Sequence, residues 1–212
     1  MKKHHLIAAT LAAITIVLLL VDTAIAAVTG EHTFITDDGQ GSTLTVLLSG
    51  LALGTVFASM GLVVLRESPR FATARRPARL VRPVLTYGLF FLAAGFVTVQ
   101  PLQTILGDES SPAVQVSGLV ALAALTAVVA SSLVLGLSLV GRNPLGVGGR
   151  VLVGLLPVML LTALLGLVAP TLASPVYCTM VVLAGVSLLG VRAEPGAQSA
   201  TRPATESPSA AV

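Results

Sequence analysis

The Lys and Arg residues of this chain, twelve in all, occupy alternate connectors between long apolar stretches. Lys2 and Lys3 precede the first stretch. Arg66, Arg70, Arg75, Arg76, Arg79 and Arg82 lie between the second and third, Arg142 and Arg150 between the fourth and fifth, and Arg192 and Arg202 after the last. The intervening connectors hold Glu31, Asp37, Asp38, Asp108 and Glu109 and no Lys or Arg. A chain that crosses a bilayer repeatedly and keeps its cations on the cytoplasmic face reads this way. The predicted fold class is therefore an all-α integral membrane protein of the cell membrane, with both termini cytoplasmic.

A helix needs about 20 mostly apolar residues to cross a hydrocarbon core of about 30 Å. Six segments qualify, at residues 6–28, 43–65, 83–106, 113–140, 151–169 and 172–191. The uncharged run from Val151 to Val191 is too long for one crossing, and Pro170 and Pro175 divide it because proline ends or kinks a helix. Only 10% of residues are charged and 55% are hydrophobic, whereas soluble domains carry about a quarter charged residues. The formal charge of +3 sits beside apolar spans, which points to anionic lipid headgroups and not to nucleic acid. Trp is absent, so anchoring at the interface rests on arginine. The single cysteine, Cys178, excludes an intrachain disulfide, and its place in the sixth span puts it near the outer face.

The first span admits two readings. Lys2-Lys3, an apolar run and Ala24-Ile25-Ala26 fit a secretory signal peptide with an Ala-x-Ala cleavage site, which leaves five spans. The run is long for a signal peptide and long enough to cross, so a retained helix and six spans are expected. Residues 193–212, rich in Ala, Pro, Ser, Thr and Glu, lack the apolar content to offset ordering entropy and are expected to form a disordered cytoplasmic tail.

Asp22 is the one carboxylate inside a span, and an intramembrane acid is a functional candidate by default. Ser49, Gln100, Gln103, Gln115 and Ser117 lie at a similar depth, as do Tyr177 and Thr179. Together they define an expected outward-facing polar vestibule around Asp22; the alternative is interfacial polarity and hydrogen bonding between helices. Arg70, Arg75, Arg76, Arg79 and Arg82 form an expected headgroup-contacting loop, in which Pro69, Pro77 and Pro83 argue against one continuous helix. Gly50, Gly54 and Ala58, and likewise Ala123, Ala127 and Ser131, are small residues spaced for close helix packing. Ser49-Gly50-Leu51 and Ala58-Ser59 recur as Ser117-Gly118-Leu119 and Ala130-Ser131, consistent with a repeated hairpin or with chance matching in an apolar alphabet.

Gly146, Gly148 and Gly149 fit no phosphate-binding spacing. Glu31, His32, Asp37 and Asp38 offer metal donors, though Asp38-Gly39 is more simply a turn. His4 and His5 read as part of the basic start. All three histidines lie outside the spans, so no Ser–His–Asp set or haem ligation is expected. No motif is specific enough to point to a family. The expected function is non-enzymatic, without cofactor: a scaffold or an accessory subunit of a membrane complex, as a homo-oligomer or beside a partner membrane protein. The alternative is a small permease or channel that uses the Asp22 vestibule.

Overall fold

The computed structural model describes residues 3–29, 43–106, 112–141, 143–169, 173–174 and 176–191. Within them the chain forms helices α1 (Lys3–Thr29), α2 (Thr43–Arg66), α3 (Ser68–Ala72), α4 (Arg76–Leu106), α5 (Pro112–Ser138), α6 (Gly146–Val153), α7 (Leu155–Val168) and α8 (Val176–Ser187), and no strand. Five helical segments are long and apolar enough to cross a membrane, the fifth being α6 and α7 taken together over Gly146–Val168. The acidic connector with Glu31, His32, Asp37 and Asp38, the residues Pro170 and Pro175, and the tail from residue 193 lie outside the described residues.

Three elements differ from expectation, each for a local reason. Helix α4 begins at Arg76, seven residues before the expected start at Pro83, so the second half of the basic segment is helical. Pro77 falls in its first turn, where a missing N–H costs nothing because that group has no intrahelical acceptor. The break between α6 and α7 at Gly154 follows from Pro157, which cannot donate to the Val153 carbonyl four residues back. Helix α8 has 12 residues, about 18 Å at 1.5 Å per residue, well short of the expected crossing at 172–191.

Helix α1 is joined to the bundle along one narrow stripe. His5, Ala8, Ala12, Thr15, Leu19 and Asp22 are all buried, at alternating spacings of three and four residues, while Leu6, Ile7, Ile14, Val17, Leu18 and Leu20 point outward. That alternation keeps one face of the helix in contact with its neighbours over several turns. Small side chains at Ala8, Ala12 and Thr15 let the backbones approach. The stripe packs against α2 and α8.

The centre of the bundle is α2 against α4 and α4 against α5, and glycine sets both distances. A Cβ on Gly54 would lie 3.0 Å from the Ala93 carbonyl oxygen, one on Gly61 3.0 Å from the Phe90 ring, and one on Gly88 2.7 Å from Val128. Phe57 and Phe96 stack between α2 and α4 with centroids 5.4 Å apart. The small-residue ladder of α2 is thus an internal packing face. The matched glycines of the candidate repeat are placed differently, Gly50 being buried and Gly118 exposed with nothing within 4 Å of an added Cβ.

The glycines before Arg150 serve close packing, Gly148 against backbone and Gly149 against side chains. Gly148 and Gly149 lie in α6, where a Cβ on Gly148 would be 2.6 Å from the Leu188 carbonyl carbon and one on Gly149 2.6 Å from Asn143 Oδ1. With the helices this close, the Val147 and Gly148 amides donate to the Val191 and Leu188 carbonyls at 3.1 and 3.2 Å. The Asn143 side chain closes the turn, donating to the Gly146 carbonyl at 2.6 Å and accepting the Leu145 amide at 3.1 Å.

Candidate functional site

The α2–α3 junction places a carboxylate inside the protein. Helix α2 ends at Arg66, and Pro69 restarts the chain in the first turn of α3. Between them Glu67 donates its amide to the Val63 carbonyl at 3.0 Å and accepts the Arg70 amide at 2.9 Å. Its side chain makes no cap to α3 and turns inward, where Glu67 is 2% exposed.

Three elements converge on that carboxylate. From the first turn of α1, His5 Nε2 lies 3.0 Å from Oε1 and His4 Nε2 4.0 Å from the same oxygen. The two imidazoles have centroids 4.3 Å apart. From α3, Arg70 Nε donates to Oε2 at 3.1 Å, and a terminal guanidinium nitrogen of Arg70 donates to the Gly190 carbonyl beyond α8. Gly190 has a φ of +82°, and a Cβ there would lie 2.6 Å from Glu67 Cδ. Its amide donates to the Leu145 carbonyl at 3.0 Å, which ties the knot to the α6 turn as well. One buried acid therefore fastens the start of α1, the α2–α3 junction and the end of α8. His5 is as buried as Glu67, and its Nδ1 has no hydrogen-bond partner.

Sequence reasoning missed this group. His4 and His5 were expected to be part of the basic cytoplasmic start, and His5 and Glu67 are 62 residues apart in the chain. The available signal was composition: Glu67 is the lone acid in a segment that holds six arginines from Arg66 to Arg82.

The expected vestibule residues are placed as follows. Asp22 is 3% exposed at the end of the α1 seam, Ser49 is half-buried on α2, and Gln115 is exposed on α5. Gln100 and Gln103 fall within α4, with side chains outside the described set. Of the expected headgroup contacts, Arg75, Arg76 and Arg79 are exposed, whereas Arg70 is engaged by Glu67 and Gly190. Arg82 is half-buried and donates to Ser68 Oγ. Arg79 and Arg82 line a shallow pocket of about 310 Å³ with Ser68, Pro69, Phe71 and Ala72. No protein-family model matches the chain, and no curated protein or solved structure is detectably similar to it.

Proposed function

We propose that the chain is a six-span integral membrane protein, both termini cytoplasmic, acting without catalysis as a scaffold or accessory subunit of a membrane complex. The observation that carries this reading is the outward surface of the long helices. Leu6, Ile14, Val17, Leu51, Leu62, Phe91, Leu119, Leu122, Leu160 and Leu164 are all exposed. In water such a surface is an aggregation liability, whereas in lipid it costs nothing. The exposed hydroxyls agree. Thr55, Thr98 and Thr126 each donate to the carbonyl four residues back, at 2.7, 2.7 and 2.8 Å, leaving no unmet donor toward hydrocarbon.

The α1 seam supports a retained first helix, because cleavage after Ala26 would strip a stripe of buried residues from the bundle. Helix α8 with Ala173 and Ser174 forms the sixth crossing. Extended chain spans about 3.3 Å per residue, and non-helical backbone is tolerated at depth when it is covered by protein. Ser174 starts that helix, its hydroxyl accepting the Val176 amide at 3.3 Å. The Arg75, Arg76, Arg79 and Arg82 surface contacts anionic headgroups at the cytoplasmic face.

The ionisable groups of the Glu67 knot, His5, Glu67 and Arg70, hold helices to one another, which suits a structural role. Purification from native membranes in mild detergent tests it. A fixed stoichiometry with a second membrane subunit is the expected result, and a chain that purifies alone and conducts solute in proteoliposomes overturns it. The burial of Asp22 favours one second reading, a small permease or channel with a polar vestibule there. Solute flux abolished by Asp22→Asn is what that reading requires.

A further inference from the structure

We infer that His4, His5 and Glu67 form a binding site for a divalent transition metal of the zinc, cobalt or nickel class. One donor atom from each residue lies within 4.8 Å of the others. A bound zinc holds imidazole nitrogen and carboxylate oxygen at about 2.0–2.2 Å, so neighbouring donors stand roughly 3.0–3.5 Å apart. The His5 Nε2 to Glu67 Oε1 distance, 3.0 Å, already meets that spacing, and the His4 distance of 4.0 Å closes to it with a shift under about 1 Å. His4 can make that shift, because its side chain is 19% exposed and stands at the edge of the group.

The His5 contact is a normal hydrogen-bond length and the His4 contact is longer, and a cation seated between the three donor atoms would engage all of them. Metal binding needs the His5 Nε2 lone pair, so the proton that Nε2 shares with Oε1 in the metal-free protein is released or moves to Nδ1 as the ion enters. Arg70 supplies the outer shell. It engages Oε2 at 3.1 Å and leaves Oε1 toward the rings, which fixes the carboxylate as a one-oxygen ligand. Two imidazoles select borderline transition metals over Mg²⁺ or Ca²⁺, which prefer all-oxygen shells. Binding joins the start of α1 to the α2–α3 junction and thereby stabilises the folded chain. The site differs from the His32 connector and does not depend on what the protein does in the membrane.

The test uses the full chain in detergent, free of any polyhistidine tag and stripped with chelator, titrated with Zn²⁺ by calorimetry and with Co²⁺ by visible absorption. One ion per chain and a nitrogen-ligated Co²⁺ spectrum are expected, with excess Mg²⁺ unable to compete. His4→Gln removes the least buried ligand and leaves the Glu67–Arg70 pair in place. It is expected to weaken Zn²⁺ binding more than tenfold while the apo protein keeps its helical circular dichroism. Arg70→Gln is expected to weaken it by about 10–100-fold through the outer shell. His32→Gln should leave affinity unchanged. Absence of binding overturns the assignment. So does affinity that survives His4→Gln, or affinity lost in His32→Gln alone.

Discussion

Replacing Gly190 with alanine tests whether the Glu67 knot holds the bundle together, and Gly141→Ala supplies the control. Both glycines adopt left-handed backbone, with φ of +82° and +89°. Alanine in that region costs roughly 1–2 kcal/mol at either position. The surroundings differ. At Gly141 the nearest atom to a new Cβ is an Arg75 guanidinium nitrogen at 3.8 Å, an ordinary contact. At Gly190 the Cβ would stand 2.5 Å from Glu67 Oε2 and 2.6 Å from Cδ, so the carboxylate must leave its place. Its bond with buried His5 is worth about 2 kcal/mol, as a hydrogen bond to a charged group. The Arg70 side chain is 34% exposed and regains water, so that contact adds less than about 1 kcal/mol. The total for Gly190→Ala is about 3–5 kcal/mol against about 1–2 for Gly141→Ala. For a chain of this size each kcal/mol moves the melting midpoint by about 2–4 °C, so the gap of about 2–3 kcal/mol between the variants is roughly 4–12 °C. Cys178 is the sole thiol and is buried, so a thiol-reactive fluorophore added during a thermal ramp reports unfolding directly. Equal midpoints for the two variants would refute the knot as a source of stability.

Gly136→Ala places a Cβ 2.6 Å from the Leu152 backbone carbonyl, which cannot yield as a side chain would. It should destabilise by about 1–3 kcal/mol in the same assay, whereas Gly118→Ala, in open space, should not. Replacing Arg79 and Arg82 together by alanine removes both cations from the shallow pocket. At about 1 kcal/mol per cation, the preference of the embedded protein for phosphatidylglycerol over phosphatidylcholine, read from the lipid that co-purifies from mixed bilayers, should fall roughly 25-fold. Amino-terminal sequencing of the mature protein should show residues 3–26 retained, and a start at Ala27 would remove the α1 seam from the account.

How far the fold could be read from the sequence depended on whether the signal was one-dimensional. Apolar length and proline position placed α2 and α5 within two residues of their observed ends, because both act on the chain locally. The basic segment is not one continuous helix, as its prolines suggested, but the break falls between Ala72 and Arg76, and α4 runs through Pro77 and Pro83. The α1 stripe was present in the spacing of Ala8, Ala12, Thr15 and Leu19, yet it is hidden to a hydrophobic pattern because the lipid-type faces around it are more apolar than the packed one. There the buried face is marked by small size and not by hydrophobicity. Asp22 was singled out as the one carboxylate inside a span, but it was expected at an outward-facing polar vestibule, and its 3% exposure in the α1 seam was not foreseen. The His5–Glu67 pairing was not, since it depends on how α1 lies against α2, which no local property of either segment encodes.

Directional thiol labelling tests the central claim, an embedded bundle with the Glu67 knot at its cytoplasmic end. On a Cys178→Ser background, single cysteines replace Thr73, exposed between α3 and α4, and Val28, exposed at the far end of α1. A membrane-impermeant maleimide added to intact cells should label Val28→Cys and spare Thr73→Cys, and inverted vesicles should give the reverse. Labelling of Thr73→Cys from outside intact cells, or release of the protein by alkaline carbonate, would contradict the account.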